Sequence, residues 1–414
     1  MRTTDGGRYD VVVVGAGAAG LACAGDLGRA GLHVRLLEAD GTVGGRMRTD
    51  RVAGFTVDRG FQVFNTSYPQ VKRRIDRKAL RLRPFTPGVL VHTEEGLRRF
   101  GDPTRRLKES GDLLRGEPAA GRDLLALGAM SVRDMLAPAS LLRRGPEGTT
   151  GTALAEAGVS PRLVETFFRP FLSGVFLEDE LTTSARFFHL VWRSMLRGSL
   201  CLPAEGIGAV PAQLAANLPA EVLWTGTTVT AVTEDGVLIA GGGEVTARAV
   251  VVATGQRVAS ELLPGLRVPQ GRTVTTLYHA TAVSPLAEPV LVVDSRRRFL
   301  NTCVLTAVQP RFSSDGRSLV STSVLGSPGP AETAAVVGAL GQVYGKDTGG
   351  WELVHRVTVS DALPAMPAPL PLSRSTRFGR GRYVCGDHRA TGSLQGALAS
   401  GARAAREVRE DLNA

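Results

Sequence analysis

The stretch YDVVVVGAGAAGLACAGDLGRAGLHVRLLEADGTVGGRMR, Tyr9 to Arg48, decides how the rest of the chain is read. Val11 to Val14 are four consecutive β-branched residues, the composition of a parallel strand covered on both faces. Gly15, Gly17 and Gly20 follow as a G-x-G-x-x-G. Gly15 permits a tight turn, Gly17 lets backbone approach a pyrophosphate, and Gly20 lets the next helix, Ala18 to Ala30, pack on the strand. The free N–H groups at Ala18 and Ala19, with the positive end of the helix dipole, suit two phosphates. Leu32 to Leu37 reads as the second strand. Glu38, with Ala39 beside it, ends that strand eighteen positions after Gly20, where a carboxylate accepts both hydroxyls of a ribose. A dinucleotide with an unphosphorylated adenosine ribose is implied.

A glycine motif alone is weak in a chain with 50 glycines. The strand before it, the helix after it and the acid at the right distance are three separate requirements, and the stretch meets all of them. Ala22-Cys23-Ala24 resembles a signal-peptide cleavage site, but Asp5 and Asp10 spoil the basic leader and cleavage would destroy the motif, so the chain is expected to stay unprocessed. In the loop Gly41 to Arg48, Gly44 and Gly45 let backbone pass close to a cofactor, and Arg46 and Arg48 can reach phosphate oxygens or a ribityl chain. GFTVDRGFQVFN, Gly54 to Asn65, reads as a strand or hairpin that turns sharply at Gly60.

At 414 residues the chain has room for two or three domains, and 43% hydrophobic with 21% charged residues is ordinary globular composition. No apolar run of membrane-spanning length lies outside the motif, so a soluble or peripheral protein is expected. Cys23, Cys201, Cys303 and Cys385 form neither C-x-x-C nor a metal pattern, which points to buried inert thiols in a reducing cytoplasm and to no metal. The net charge of +10 comes mostly from arginine, lysine standing only at Lys72, Lys78, Lys108 and Lys346. KRRIDRKALRLR, Lys72 to Arg83, followed by Arg98, Arg99, Arg105, Arg106 and Lys108, is either a solvated face or a peripheral contact with an anionic membrane. It lacks interleaved aromatics, so no nucleic-acid partner is expected.

The run G-x-G-x-x-G, Glu38, GGRMR and DRGFQVF resembles the superfamily of flavin-containing amine oxidases, protoporphyrinogen oxidases and phytoene desaturases. RYVCGDHRATGSLQGALASG, Arg382 to Gly401, is similar to that superfamily's closing FAD motif. The resemblance implies an α/β protein in which a Rossmann-like FAD-binding domain is discontinuous, from 1–75, 201–264 and 377–414. The inserted substrate domain, of mixed antiparallel sheet and helices, would come from 76–200 and 265–376. It implies FAD held without a covalent bond: Asp387, after a turn at Gly386, on the ribityl chain, and Gly392, Ser393, Leu394, Gln395 and Ala397 opening the last helix toward the flavin. Val229 matches the position that meets the adenine, Ala253 and Thr254 end a buried strand of the nucleotide domain, and Arg59 and Gly60 belong to the second flavin element.

Between these ends Pro84 to Leu200 reads as mainly helical, with Asp123 to Leu136, Gly151 to Ala157 and Arg162 to Phe171 as candidate helices. Phe167, Phe168, Phe171, Phe176, Phe187 and Phe188 form plain core or line an apolar tunnel, core being the commoner outcome. Thr273 to Val324 carries strand-like runs that suit an antiparallel floor to a substrate cavity, and Ala331 to Tyr344 a helix.

A flavin of this class takes a hydride from a C–H bond, and the protein supplies orientation, a dry pocket and electrostatic tuning. Amine oxidases of the superfamily bring a lysine from the substrate-domain sheet toward flavin N5 and flank the ring with tyrosines. Here no lysine stands between Lys108 and Lys346, and Ala362-Leu363-Pro364 occupies the aromatic position. Asp58, Arg59, Gln62, His388 and Arg389 are the catalytic candidates, with a purely structural His388 weighed equally; His189 and His279 read as core. The expected activity is an FAD-dependent desaturase or oxidase acting on a hydrophobic isoprenoid, porphyrinogen or secondary metabolite, with oxygen or a quinone as acceptor. The alternatives are amine oxidation and a non-catalytic lipid-binding protein on the same fold. Nothing in the sequence signals an oligomeric state.

Overall fold

The computed structural model describes residues 8–101 and 119–413. Apolar Tyr9–Val14 (β1), alanine- and glycine-rich Ala18–Arg29 (α1) and buried Val34–Leu37 (β2) open the chain as a strand–helix–strand unit. Thr49–Val52 (β3) and Phe55–Asp58 (β4) pair as a hairpin, followed by Phe64–Asn65 (β5) and the basic helix Pro69–Arg74 (α2). The expected reversal at Gly60 falls earlier: Ala53 and Gly54 both take positive φ, 46° and 83°, which makes the two-residue turn a hairpin needs. Gly60, at φ +89°, bends the chain away afterwards.

Arg83–Pro84 (β6), Gly88–Thr93 (β7) and Gly96–Gly101 (β8) lead to a helical region of Ala120–Leu136 (α3), Ala139–Arg144 (α4), Thr150–Glu156 (α5), Pro161–Leu163 (α6), Arg169–Phe176 (α7) and Ala185–Arg197 (α8). The single helix expected over Arg162 to Phe171 is instead α6, a π-helical turn at Val164–Phe168 and α7. Pro170 has no N–H to give the preceding turn, and the ladder widens there. The six phenylalanines are buried and pack on one another, Phe167 stacked on Phe100 and Phe171, Phe168 edge-on to Phe188 and Phe176 tilted against Phe187, so they are core.

Leu200–Leu202 (β9), Ala209–Ala216 (α9), Leu223–Trp224 (β10), Val229–Val232 (β11), Gly236–Ile239 (β12), Gly243–Val252 (β13) and Gln256–Leu262 (α10) return toward the first unit. Gly271–Thr281 (β14), Leu291–Asp294 (β15), Asn301–Val304 (β16), Leu305–Val308 (α11), Ser318–Leu325 (β17), Pro330–Tyr344 (α12) and Glu352–Pro364 (β18) follow, then Arg382–Val384 (β19) and Leu394–Leu412 (α12's successor, α13).

Two seven-stranded sheets organise this mixed α/β fold. One runs β10-β2-β1-β13-β12-β11, with β19 also on β13, so it takes strands from three stretches far apart in sequence. β1 lies parallel to β2 and β13, and β13 parallel to β19, because each connection passes through a helical crossover. The other runs β18-β14-β17-β16-β15-β7-β8 and is antiparallel except where β15 meets β7. α13 lies directly on α1: a Cβ at Gly401 would stand 2.1 Å from the Ala19 carbonyl oxygen, so only glycine allows that approach.

The basic segment is amphipathic as expected, but Val71, Ile75 and Leu80 are buried in the core beneath α1. Its apolar side is therefore spent inside the protein, and Lys72, Arg73, Arg77 and Lys78 remain exposed. Arg105, Arg106, Lys108 and Asp5 lie outside the described residues. No helix among the described residues is long and apolar enough to cross a membrane.

Candidate cofactor cradle and active site

At the end of β1 the chain turns at Gly15 with φ +102°, and a Cβ there would crowd the Ala253 carbonyl oxygen at 3.0 Å. A Cβ on Gly20 would stand 1.9 Å from the Gly15 carbonyl oxygen, so α1 can seat on the turn only with glycine at that position. Gly17 differs from both: nothing lies within 4 Å of the Cβ it lacks. That open space, at the N-terminus of a twelve-residue helix, is one that a side chain would fill and a phosphate group fits. Glu38 is buried beside it, accepting the Ala16 N–H at 2.7 Å and the Asp40 N–H at 3.0 Å.

The second glycine loop closes on the first. Gly44 bridges to Gly17 in parallel fashion, and its N–H donates to the Ala16 carbonyl at 2.9 Å. Gly44 takes φ +120°, where a Cβ would stand 2.4 Å from the Met47 carbonyl oxygen. Arg48 turns back on this loop, to the Thr42 carbonyl at 2.6 Å and to Asp40 at 3.0 Å. Arg46 reaches the other way. Its guanidinium meets Asp387 Oδ1 at 2.7 Å and donates to the Ala362 and Asp361 carbonyls at 2.9 and 3.3 Å. Burial works against the Arg46 charge, but Asp387 and Asp361 outweigh it and the pKa rises. One side chain thus joins the GGRMR loop, the closing motif and the end of β18.

Around Asp387 the closing motif is tightly wound. Gly386 takes φ +153°, its N–H donates to Ser400 Oγ at 3.2 Å, and a Cβ would stand 2.5 Å from the His388 ring. The His388 N–H donates to Asp387 Oδ1 at 3.0 Å. Ser393 caps α13 by accepting the Gly396 N–H at 3.1 Å, and Gln395 Oε1 accepts the Gln70 N–H at 2.9 Å. Leu363 and Pro364 press against Gly392, where a Cβ would stand 3.0 Å from Leu363, so the end of β18 walls the helix start. Val229 is buried opposite Ile239, and the Ala253 N–H donates to the Val14 carbonyl at 2.8 Å; Thr254 follows it, out of the sheet.

The sequence profile of the family described as flavin containing amine oxidoreductase matches residues 18–409. The chain belongs to that family. Protoporphyrinogen oxidase 2 of Arabidopsis thaliana is 42% identical over 71 residues, 17% of this chain and 14% of that protein. Phytoene desaturase of Cercospora nicotianae is 26% identical over 95 residues, 22% of this chain and 15% of that one. The matched stretches therefore span about a seventh of those relatives' lengths. Among solved structures, cyclohexylamine oxidase from Brevibacterium oxydans IH-35A superposes with a TM-score of 0.74 at 17% identity, over 99% of this chain and all of that one, which establishes a shared fold.

Within this family fold the five catalytic candidates fall in four places. Gln62 and His388 stand at the Arg46–Asp387 pair: Gln62 Nε2 donates to the Arg46 carbonyl at 2.8 Å and the Arg59 carbonyl at 3.3 Å. His388 is buried with Nε2 unpaired, and burial brings its pKa down to about 4, so the imidazole is neutral at pH 7. Asp58 lies under the β3–β4 hairpin, accepting Thr49 Oγ1 at 2.5 Å and the Ile207 N–H at 2.9 Å. Burial pushes it up to about 6. Arg59 points outward and pairs with Asp50 at 2.8 Å, both half-exposed. Arg389 turns from the flavin motifs to the Ser375 carbonyl at 2.6 Å, among Arg374, Arg403 and Glu407.

Two contacts of the site lie beyond the sequence reading. Tyr278 on β14 donates its hydroxyl to the Asp58 carbonyl at 2.6 Å, tying the sheet around β14 to the end of β4. Asp361, whose carbonyl holds Arg46, also accepts Gln256 Nε2 at 3.2 Å. The available signal for the Arg46–Asp387 pair was its opposite charges in two motifs expected at one nucleotide; Tyr278 and Asp361 carried none. His189 Nδ1 lies 2.7 Å from Asp134 Oδ2, which accepts from it, and the residue is structural, while His279 is buried with Nδ1 unpaired and its pKa brought down to about 4 by burial. The four cysteines are buried and unpaired, and no group of metal-ligating side chains forms among the described residues.

Proposed function

We propose that the chain is an FAD-dependent oxidoreductase that takes a hydride from a C–H bond of a hydrophobic small molecule, in the manner of desaturases and protoporphyrinogen oxidases rather than amine oxidases. The observation that carries the choice is the β18-β14-β17-β16-β15-β7-β8 sheet: none of its seven strands contains a lysine. The superfamily's amine oxidases draw a lysine from that sheet, and Tyr278, Thr275 and Thr276 are what this sheet buries instead.

Bound FAD supplies the hydride acceptor, and the residues of this chain do the rest. Gly15, Gly17 and Gly20 leave room for the pyrophosphate, and Glu38 would accept the adenosine ribose hydroxyls on the acceptor positions that the Ala16 and Asp40 N–H groups leave open. Asp387, held by Arg46, orients the ribityl chain. His388 Nε2, buried and unpaired in the closing motif, would be the atom available to hold a proton near bound FAD. We read retention as non-covalent, Cys385 being fully buried in the same core cluster as Cys23. The nucleotide domain of this reading is 1–75, 201–264 and 377–414, and the substrate domain is 76–200 with 265–376. Oxygen or a quinone would be the acceptor that returns the reduced flavin to its oxidised form, and four buried thiols without disulfides suit a reducing cytoplasm.

The test is flavin reduction without oxygen. Protein loaded with FAD loses its visible absorbance when a porphyrinogen or an isoprenoid polyene precursor is added, and keeps it with cyclohexylamine or putrescine. Bleaching by the amines alone would overturn the proposal in favour of amine oxidation. A protein that takes up no FAD would overturn the enzyme reading itself.

A further inference from the structure

On the side of the molecule where α1, α2 and α13 meet, a cavity of about 560 Å³ is walled by Arg29, Arg73, Arg403, Arg406 and Arg409. The sequence of α13 makes it. Ala399, Ala402, Arg403, Arg406 and Arg409 recur at helical spacing along one face, so alanines leave the space and arginines line it. We propose that this groove is a second binding site, for a phosphate ester carrying more than one negative charge.

Charge bookkeeping favours an anion from outside the chain. Asp26 is the one carboxylate in the wall, and Arg74 already holds it with two bonds of 2.9 and 2.6 Å while Arg29 pairs with it as well. Arg73 and Arg409 are exposed and have no carboxylate partner among the described residues. Arg403 donates to the Arg374 carbonyl at 2.6 Å, and Arg406 meets Glu410 only at 3.6 Å. Several guanidinium groups converging on a concave surface are the arrangement that binds phosphate oxygens with paired N–H donors.

The shape adds a second constraint. Arg29 and Arg73 also border a neighbouring cavity of about 330 Å³, whose wall includes Leu21, Ala22, Leu214 and Leu218. Phosphates seated among the arginines would thus leave room beside them for an apolar portion of the ligand. A bilayer fits less well, because the apolar side of the α2 segment is buried in the core and only its cations face outward. The chemistry recognised is the same for a lipid headgroup and for a soluble phosphate ester.

Binding is measured by calorimetric titration of inorganic pyrophosphate into protein saturated with FAD, so that the nucleotide cradle is filled. The variant Arg73→Ala/Arg409→Ala is compared with Arg267→Ala/Arg311→Ala, which removes the same charge from exposed positions elsewhere. Saturable binding, weakened about tenfold or more by the first variant and less than about twofold by the second, is the expected result. Sedimentation with phosphatidylglycerol vesicles assigns the source. Vesicle binding that pyrophosphate displaces and Arg73→Ala/Arg409→Ala abolishes identifies a headgroup, and pyrophosphate binding without vesicle binding identifies a soluble ester. No saturable pyrophosphate binding, or equal weakening in both variants, would overturn the proposal.

Discussion

The sheet around β1 and the sheet around β14 both have seven strands, yet the first buries mainly valine, alanine and leucine while the second buries threonine, serine and histidine among its valines and leucines. In the first, Val11 to Val14 and Ala249 to Val252 disappear into two apolar clusters, and the candidate site at the ends of its strands is built largely from backbone, glycines without side chains and N–H groups, with the carboxylates of Glu38 and Asp387. In the second, Thr302 Oγ1 bonds to the Ser321 carbonyl and sits 3.0 Å from Thr322 Oγ1 and 3.1 Å from the Tyr344 hydroxyl, all buried. His279 Nδ1, Asn301 Oδ1 and Gln309 Nε2 are buried there without a partner. The first sheet tolerates almost no added atom, whereas the second tolerates changes of polarity. On the proposed reading, the first region would hold the cofactor and the second would face the substrate.

The largest effect should come from adding one carbon to the first region. Gly20→Ala places Cβ 1.9 Å from the Gly15 carbonyl oxygen, backbone against backbone. We expect a loss of about 4 kcal/mol or no folded protein, against about 1 kcal/mol for Thr322→Val in the second sheet. Urea midpoints of the two variants check this, and equal losses would break the comparison. Arg46→Ala comes next, because Asp387 is buried and would lose its only ion-pair partner among the described residues as well as the link to the β18 carbonyls. A loss of about 3 kcal/mol follows, together with weaker FAD retention; Arg46→Lys should recover the charge but not the two carbonyl bonds.

How far these features could be read from sequence follows the same division. The β1–α1–β2 unit, the acid at Glu38, the glycines of the second loop and the start of α13 were legible, because each depends on local backbone conformation and so on residue type at fixed spacing. The hairpin turn was misplaced because Ala53 gives no sign of its positive φ, while Gly60 does. The π-helical turn before α7 had a signal in Pro170. The contacts of Arg46 with Asp387 and Asp361, and of Tyr278 with Asp58, join positions more than 200 residues apart and depend on tertiary packing that no local pattern encodes. The missing lysine between Lys108 and Lys346 was legible in the sequence, and the strand assignment adds which sheet lacks it.

Two titrations sharpen the contrast at smaller amplitude. Asp58 has a folded pKa of about 6 against 3.8 for the free side chain, so the folded state holds its proton longer. Its effect on stability is therefore greatest below pH 4 and is lost as pH rises to about 6. Asp58→Asn keeps an acceptor for Thr49 and for the Ile207 N–H without the charge. It should raise stability by about 2 kcal/mol at pH 8 and flatten the thermal midpoint between pH 4 and 6. An unchanged pH profile would show that Asp58 ionises freely. His279 works with the opposite sign: its folded pKa of about 4 lies below 6.5, so stability is lost as pH falls from 6.5 toward 4. His279→Leu should lie within about 1 kcal/mol of the parent at pH 7 and be the more stable protein at pH 5. Thermal unfolding at both values decides it.

The central claim is that the first region is an FAD cradle whose ribose carboxylate is Glu38. Titrating FAD into the folded chain and into Glu38→Ala, with binding followed by quenching of flavin fluorescence, tests it directly. Tight binding by the parent, weakened about tenfold or more in Glu38→Ala at unchanged helical content, is what the cradle predicts. Equal affinity in the two proteins, or no FAD binding by the parent, would contradict it.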